Sequence, residues 1–174
     1  MRWISIDRFL EFHSGKSARA LRNLSLAEDL FAEHFPGYPV MPAALMLEGL
    51  AQTGGILVGE ANDYKEKVIL AKILWARFQR EVLAGEQIIY EVELLNLRPE
   101  GASIQGRVLA GFTGQEKNGP TLIGEAEIFF AHLDQNRSRQ MFGEQNFVFS
   151  GELKKILGLA RLTAKSAENP ASTK

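Results

Sequence analysis

Cysteine is absent from the 174 residues. That excludes disulfides, thiolate zinc sites, iron–sulfur clusters and cysteine nucleophiles together. Histidine is scarce: His13, His34 and His132 are the full set, so any imidazole chemistry must use one of these three. An excess of either charge is also missing. Twenty Lys plus Arg stand against 21 Asp plus Glu, a net of -1, so the chain as a whole is no polyanion binder. It has no basic stripe interleaved with aromatics, which disfavours nucleic acid. Long apolar runs are lacking too. The nearest, Val40 to Val58, carries Pro42, Glu48, Gln52 and several glycines. A carboxylate at its centre argues for a buried helix rather than a membrane span. The opening Met-Arg-Trp-Ile-Ser-Ile-Asp-Arg reaches charge too early for a signal-peptide core, so a cytoplasmic location is expected.

What is present is ordinary globular composition, 45% hydrophobic and 24% charged, and enough chain for one domain. No fixed-period repeat is visible. Trp3 to Phe12 reads as a strand, His13-Ser14-Gly15 as a turn and Ala18 to Leu24 as the returning strand of a hairpin. Ser25 with Glu28 three residues later has the capping-box spacing, which predicts a short helix over about 26–32. Residues 34–42 hold three of the six prolines. Each proline fixes its own φ and restricts the residue before it, so this loop is stiff. Pro42 suits the first position of a helix running to about Gly59. That helix is apolar nearly all round and therefore buried on most faces. Period-two patterning then takes over, with strands expected over Val68–Phe78, around Ile88–Leu94, around Ile104–Ala110 and over Leu122–Leu133. Hairpin-length connections and one long helix predict an α+β architecture, an antiparallel sheet packed on that helix.

From Gln135 onward the composition changes. Seven Lys plus Arg against three Asp plus Glu give this tail +4, which leaves -5 on the rest. Residues 1–134 are therefore expected as one domain. Residues 135–174 are expected as a basic extension, partly helical near Leu153, Ile156, Leu157 and Ala160, then disordered.

His34 and Glu48 draw attention as chemistry. His34 opens the stiff loop; Glu48 lies inside the apolar helix with Gln52 one turn later on the same face. A desolvated carboxyl tends to hold its proton, and such a group near a neutral imidazole is an acid–base pair. The helix N-terminus near Ala43 and Ala44 offers free N–H groups for a developing negative oxygen. From spacing alone the commoner reading is a structural or solvated histidine and a glutamate that faces water. His13 reads as solvated and His132 as structural. A metal site at His132 and Asp134 lacks a third ligand at suitable spacing, so no metal is expected.

The run His34-Phe35-Pro36-Gly37-Tyr38-Pro39-Val40-Met41-Pro42-Ala43-Ala44-Leu45-Met46-Leu47-Glu48-Gly49-Leu50-Ala51-Gln52 resembles the signature of the β-hydroxyacyl-[acyl-carrier-protein] dehydratases, H-F-P-G-x-P-x-M-P-G-x-L-x-x-E-x-x-A-Q. Ala76 to Gln87 is similar to a second family stretch, R-F-K-R-P-V-x-P-G-D-Q, and Ile4 to Arg8 resembles its first strand. The likeness covers about 1–134. It implies a hotdog fold, a sheet wrapped around the central helix. It also implies a homodimer, possibly a trimer of dimers, with His34 of one subunit facing Glu48 of the other. The implied reaction removes water from a 3-hydroxyacyl thioester to give the trans-2-enoyl thioester, for fatty acid synthesis or a related lipid or polyketide route. The substrate rides on the phosphopantetheine of acyl carrier protein, and no other cofactor is implied. His34 would take the C2 proton, Glu48 would protonate the departing hydroxyl, and the N–H groups of Gly37 and Ala43 would polarise the carbonyl, with Gln52 also at the substrate site.

Departures from the pattern are Ala43 for Gly, and Gln79, Glu81, Ala84 and Glu86 for Lys, Pro, Pro and Asp. Glu48, where the dehydratase–isomerase branch carries Asp, favours the plain dehydratase. Lys65, Lys67, Lys72, Arg77 and Arg80, with Arg137, Arg139, Lys154 and Lys155 of the tail, are candidates for docking an acidic carrier; solvated surface charge is the equal alternative. Two other functions fit the same architecture: an acyl thioesterase, and a non-catalytic acyl- or carrier-binding module.

Overall fold

The computed structural model describes residues 4–112 and 119–133. The chain runs β1 (Arg8–His13), β2 (Ser17–Asn23), α1 (Asp29–Glu33), α2 (Ala43–Ala61), β3 (Lys67–Phe78), β4 (Glu86–Arg98), β5 (Gly101–Phe112) and β6 (Thr121–Leu133). The six strands form one sheet in the order β1-β2-β4-β5-β6-β3, and every pairing is antiparallel. Helix α2 lies against the sheet, mostly on β4. This is the hotdog arrangement, and the expected element order is the observed one.

The sheet follows from alternation. In β4, Ile88, Tyr90 and Val92 are buried and Glu93 on the other face is exposed. Ile104 and Val108 of β5 and Ala126, Ile128 and Phe130 of β6 continue the same buried face. Helix α2 closes that core with Met46, Leu50, Ile56, Leu57 and Val58. Gly49 is the point of closest approach: a Cβ there would overlap the ring of Tyr90. A small residue at this position lets the helix sit directly on β4.

Three boundaries differ from the sequence expectation. The first strand starts at Arg8 rather than Trp3, and the segment before it is held at Asp7, whose N–H donates to the Leu21 carbonyl at 2.7 Å. The capping-box contacts form, with Ser25 N–H donating to Glu28 Oε1 at 3.0 Å and Ala27 N–H to Ser25 Oγ at 3.2 Å. They close a turn, however, and α1 begins only at Asp29 with Glu28 as its N-cap. Pro42 is the N-cap of α2 rather than its first helical residue; its ψ of 132° is extended. The basic extension 135–174, with the docking candidates Arg137, Arg139, Lys154 and Lys155, lies outside the described residues.

Candidate active site

The stiff loop between α1 and α2 is built as its prolines require. The His34 N–H donates to Leu30 O at 3.1 Å and so finishes α1. Phe35 and Tyr38 exchange two backbone bonds, 3.0 and 2.9 Å, around Pro36 and Gly37. Gly37 has φ +82°, a left-handed geometry that suits glycine, and space for 4 Å around the missing Cβ is open. The His34–Phe35 peptide is cis. Val40 N–H then donates back to the His34 carbonyl at 3.0 Å.

These contacts hold the imidazole from two sides. Its Nδ1 lies 3.3 Å from the Val40 carbonyl oxygen, and its ring stacks on Phe35 with centroids 4.1 Å apart. A Nδ1–H donated to a carbonyl leaves Nε2 as the basic nitrogen. His34 is half-buried, and Phe35 is exposed beside it.

Glu48 sits on α2 and is half-buried rather than fully buried as an all-apolar helix suggested. The Gln52 amide donates to Glu48 Oε1 at 2.7 Å, and Gln52 Oε1 accepts the Ser5 N–H at 2.8 Å. The carboxylate is thus tied through Gln52 to the segment ahead of β1. The hydrogen bond and the ring contact of His34 are with its own loop, and the hydrogen bond of Glu48 is with Gln52.

Ala43 and Ala44 open α2 and are exposed. The Pro42 carbonyl accepts from Leu45 and Met46, at 3.0 and 3.3 Å. The N–H groups of Ala43 and Ala44 precede those donors and have no acceptor earlier in the helix. They are oriented as the positive end of a 19-residue helix.

Arg80 was a docking candidate in the sequence, but its guanidinium is engaged. Its Nη2 lies 2.7 Å from Glu86 Oε1 and its Nη1 3.1 Å from Oε2, and Glu86 is only 3% exposed. Sequence reasoning counted Glu86 as a departure and missed this pair. Lys65 is paired too, with Asp63 at 3.2 Å on the surface. The His132 side chain is 3% exposed, with Nδ1 3.4 Å from Glu66. Among the described residues no group of three or more His, Asp or Glu could hold a metal. No described helix is long and apolar enough to cross a membrane.

An α+β hotdog carrying an imidazole on a rigid loop and a carboxylate on its central helix is the framework of an acyl-thioester enzyme class. The FabA-like family model matches residues 3–127. A 3-hydroxyacyl-[acyl-carrier-protein] dehydratase FabZ of Pelotomaculum thermopropionicum is 40% identical over 130 residues, 74% of this chain and 87% of that protein. The protein of the same name from Listeria welshimeri is 38% identical over 133 residues, 76% of this chain and 87% of that one. The chain belongs to the FabA-like, β-hydroxyacyl-[acyl-carrier-protein] dehydratase family. Solved structures share the fold: a dehydratase heterocomplex from Xenorhabdus doucetiae has TM-score 0.57 at 14% identity, covering 82% of this chain and 91% of its own. A thioesterase family protein from Silicibacter pomeroyi has TM-score 0.58 at 13% identity, over 73% and 84%.

Proposed function

We infer that this protein is a 3-hydroxyacyl-[acyl-carrier-protein] dehydratase, a hydro-lyase of fatty acid or related lipid synthesis. The observation that carries this reading is the run from His34 to Gln52, which keeps every fixed position of the pattern but Ala43, set in a chain that the FabZ relatives match over most of their length. The thioesterase alternative shares the fold at 13% identity but accounts for nothing in the His34 loop.

In the proposed reaction Nε2 of His34 takes the C2 proton. The C–H electron pair becomes the C2–C3 double bond as the C3–O bond breaks. Glu48, protonated at that moment, gives its proton to the departing hydroxyl, which leaves as water. The thioester carbonyl gathers negative charge during C2 deprotonation. The N–H groups of Gly37 and Ala43 are the donors proposed to meet it. Gln52 contributes by holding the Glu48 carboxyl. The reaction is redox-neutral, and beyond the phosphopantetheine arm that carries the substrate it requires no cofactor.

His34 and Glu48 work together, in this reading, across a homodimer. Strand β3 supports it. It is an edge of the sheet, and Leu70, Ile73, Leu74 and Trp75 along it are 40–45% exposed. An apolar unpaired edge of this length calls for a second strand, and another copy of β3 supplies one with matching chemistry.

The test is hydration of a trans-2-enoyl thioester by the purified chain. His34→Ala and Glu48→Gln are each expected to lower the rate about 100- to 10,000-fold. Unchanged rates in both variants, or release of free thiol instead of hydration, would overturn the reading.

A further inference from the structure

The 80–86 segment takes no part in the proton transfers, yet the His34 loop rests on it. Met41 N–H donates to the Val82 carbonyl at 2.8 Å, and Val40 and Leu83 form an antiparallel bridge. The Tyr38 hydroxyl donates to Glu81 Oε2 at 2.6 Å. Val40 is the link between the two halves. On one side it is bridged to Leu83; on the other its N–H and carbonyl meet the His34 carbonyl and Nδ1. Any displacement of 80–86 therefore moves the group that orients the imidazole.

A pair made of the buried Glu86 carboxylate and the solvent-facing Arg80 guanidinium holds that segment in place. Both oxygens of Glu86 are occupied, by the two Arg80 nitrogens and by the Leu83 N–H at 2.8 Å. Arg80 also donates to the carbonyls of Glu81, at 2.7 Å, and Ala110 of β5, at 3.1 Å. The bidentate fork fixes orientation as well as distance. Removing one member leaves a buried carboxylate or a guanidinium without its partner, so the segment cannot keep its shape by halves. The same residues border a cavity of about 460 Å³ with Tyr38, Leu83 and Phe112 on its wall, so loosened side chains have room to move.

We propose that Arg80 and Glu86 are positioning residues for His34, acting through the 81–83 backbone and Val40. Glu81, where the family pattern has proline, adds a tether to Tyr38 that belongs to this chain. The proposal rests on His34 being the base. It differs from a carrier-docking role for Arg80, which requires its donors to be free.

The experiment uses full-length Arg80→Met, Arg80→Lys and Glu86→Asp with two substrates, a carrier-bound trans-2-enoyl thioester and its N-acetylcysteamine analogue. Arg80→Met is expected to lower kcat about 10- to 100-fold, by the same factor on both substrates, with KM moving less than about threefold. Glu86→Asp, which keeps the carboxylate, should recover most of the rate, and Arg80→Lys should fall between. A raised KM confined to the carrier substrate would overturn the proposal in favour of docking. Amide hydrogen exchange gives a readout that needs no turnover. Val40 and Met41 should exchange at least about tenfold faster in Arg80→Met, while Leu50 and Leu57 of α2 keep wild-type protection. Unchanged Val40 and Met41 amides would overturn it. Should Arg80→Met not fold, Glu86→Gln, of nearly the same volume, must show the same exchange pattern. A wild-type chain inactive on enoyl thioesters would refute the dehydratase reading, and the exchange result would still decide the clamp.

Discussion

Gln52 joins two unlike surroundings in one side chain. Its amide reaches the Glu48 carboxylate and its oxygen takes a backbone N–H from Ser5. Leucine at this position keeps the bulk and loses both bonds. Gln52→Leu frees the Glu48 carboxyl to turn away from its working position and should reduce kcat about 10- to 100-fold, while the two lost bonds should lower stability by about 1–3 kcal/mol. Steady-state kinetics beside a melting curve check this. Tyr90 is a residue of the opposite kind, fully buried with a hydroxyl that finds no partner among the described residues. Burial raises its phenol well above the ordinary 10.0, against a smaller lowering by Arg22. Above that ordinary value the unfolded chain loses the phenolic proton while the folded chain keeps it. Stability is therefore intact at neutral pH and falls as pH rises past about 10. Tyr90→Phe should change stability by less than about 1 kcal/mol near pH 7 and make the alkaline decline shallower. Urea melts at about pH 7 and about pH 10.5 would show it, and an equal slope in both proteins would refute it.

Helix α2 shows which elements can be read from residues alone. Its apolar girth and its glycines were legible, because each is a local property of the chain, and its start was legible to within one residue, Pro42 serving as the cap. The β-hairpin and the four later strands were legible for the same reason, since alternation records which face is buried. The start of α1 was not. Ser25 and Glu28 do bond as a capping box, but the bonds serve a turn, and Glu28 also pairs at 2.7 Å with Arg22 of β2, a partner that local spacing does not reveal. Nor could the Arg80–Glu86 pair be recognised. Six residues apart, the two meet only because the loop folds back on itself, and a charge in a sequence does not name its partner. His34 and Glu48 stood out through their setting, a stiff loop and an apolar helix, whereas the half-exposure of Glu48 depends on what covers α2. Packing of α2 on β4 also makes a stability prediction. Gly49→Ala pushes a methyl into the Tyr90 ring, so it should cost about 1–3 kcal/mol. In a Tyr90→Leu background the same change should cost at least about 1 kcal/mol less. Denaturant midpoints for the four proteins of that cycle measure the coupling, and additive values would place the helix elsewhere.

At the scale of the whole molecule, one chain is half of the proposed machine. In the proposed dimer the exposed apolar edge of β3 is the surface that a second copy would pair with. Leu74→Asp on that edge should convert a dimer to monomers by light scattering and remove activity with it, while the circular dichroism of the sheet survives. The sharper test uses two inactive variants. Mixing His34→Ala with Glu48→Gln and allowing subunits to exchange makes about half of the dimers mixed, by the statistics of a two-fold assembly. In each mixed dimer, one site joins the intact His34 of one subunit to the intact Glu48 of the other, and the second site lacks both. Activity should therefore return to about a quarter of wild type, from two proteins that have almost none. Sites contained within single chains would instead leave the mixture as inactive as its parts, because no exchange of subunits could bring an intact histidine to an intact glutamate.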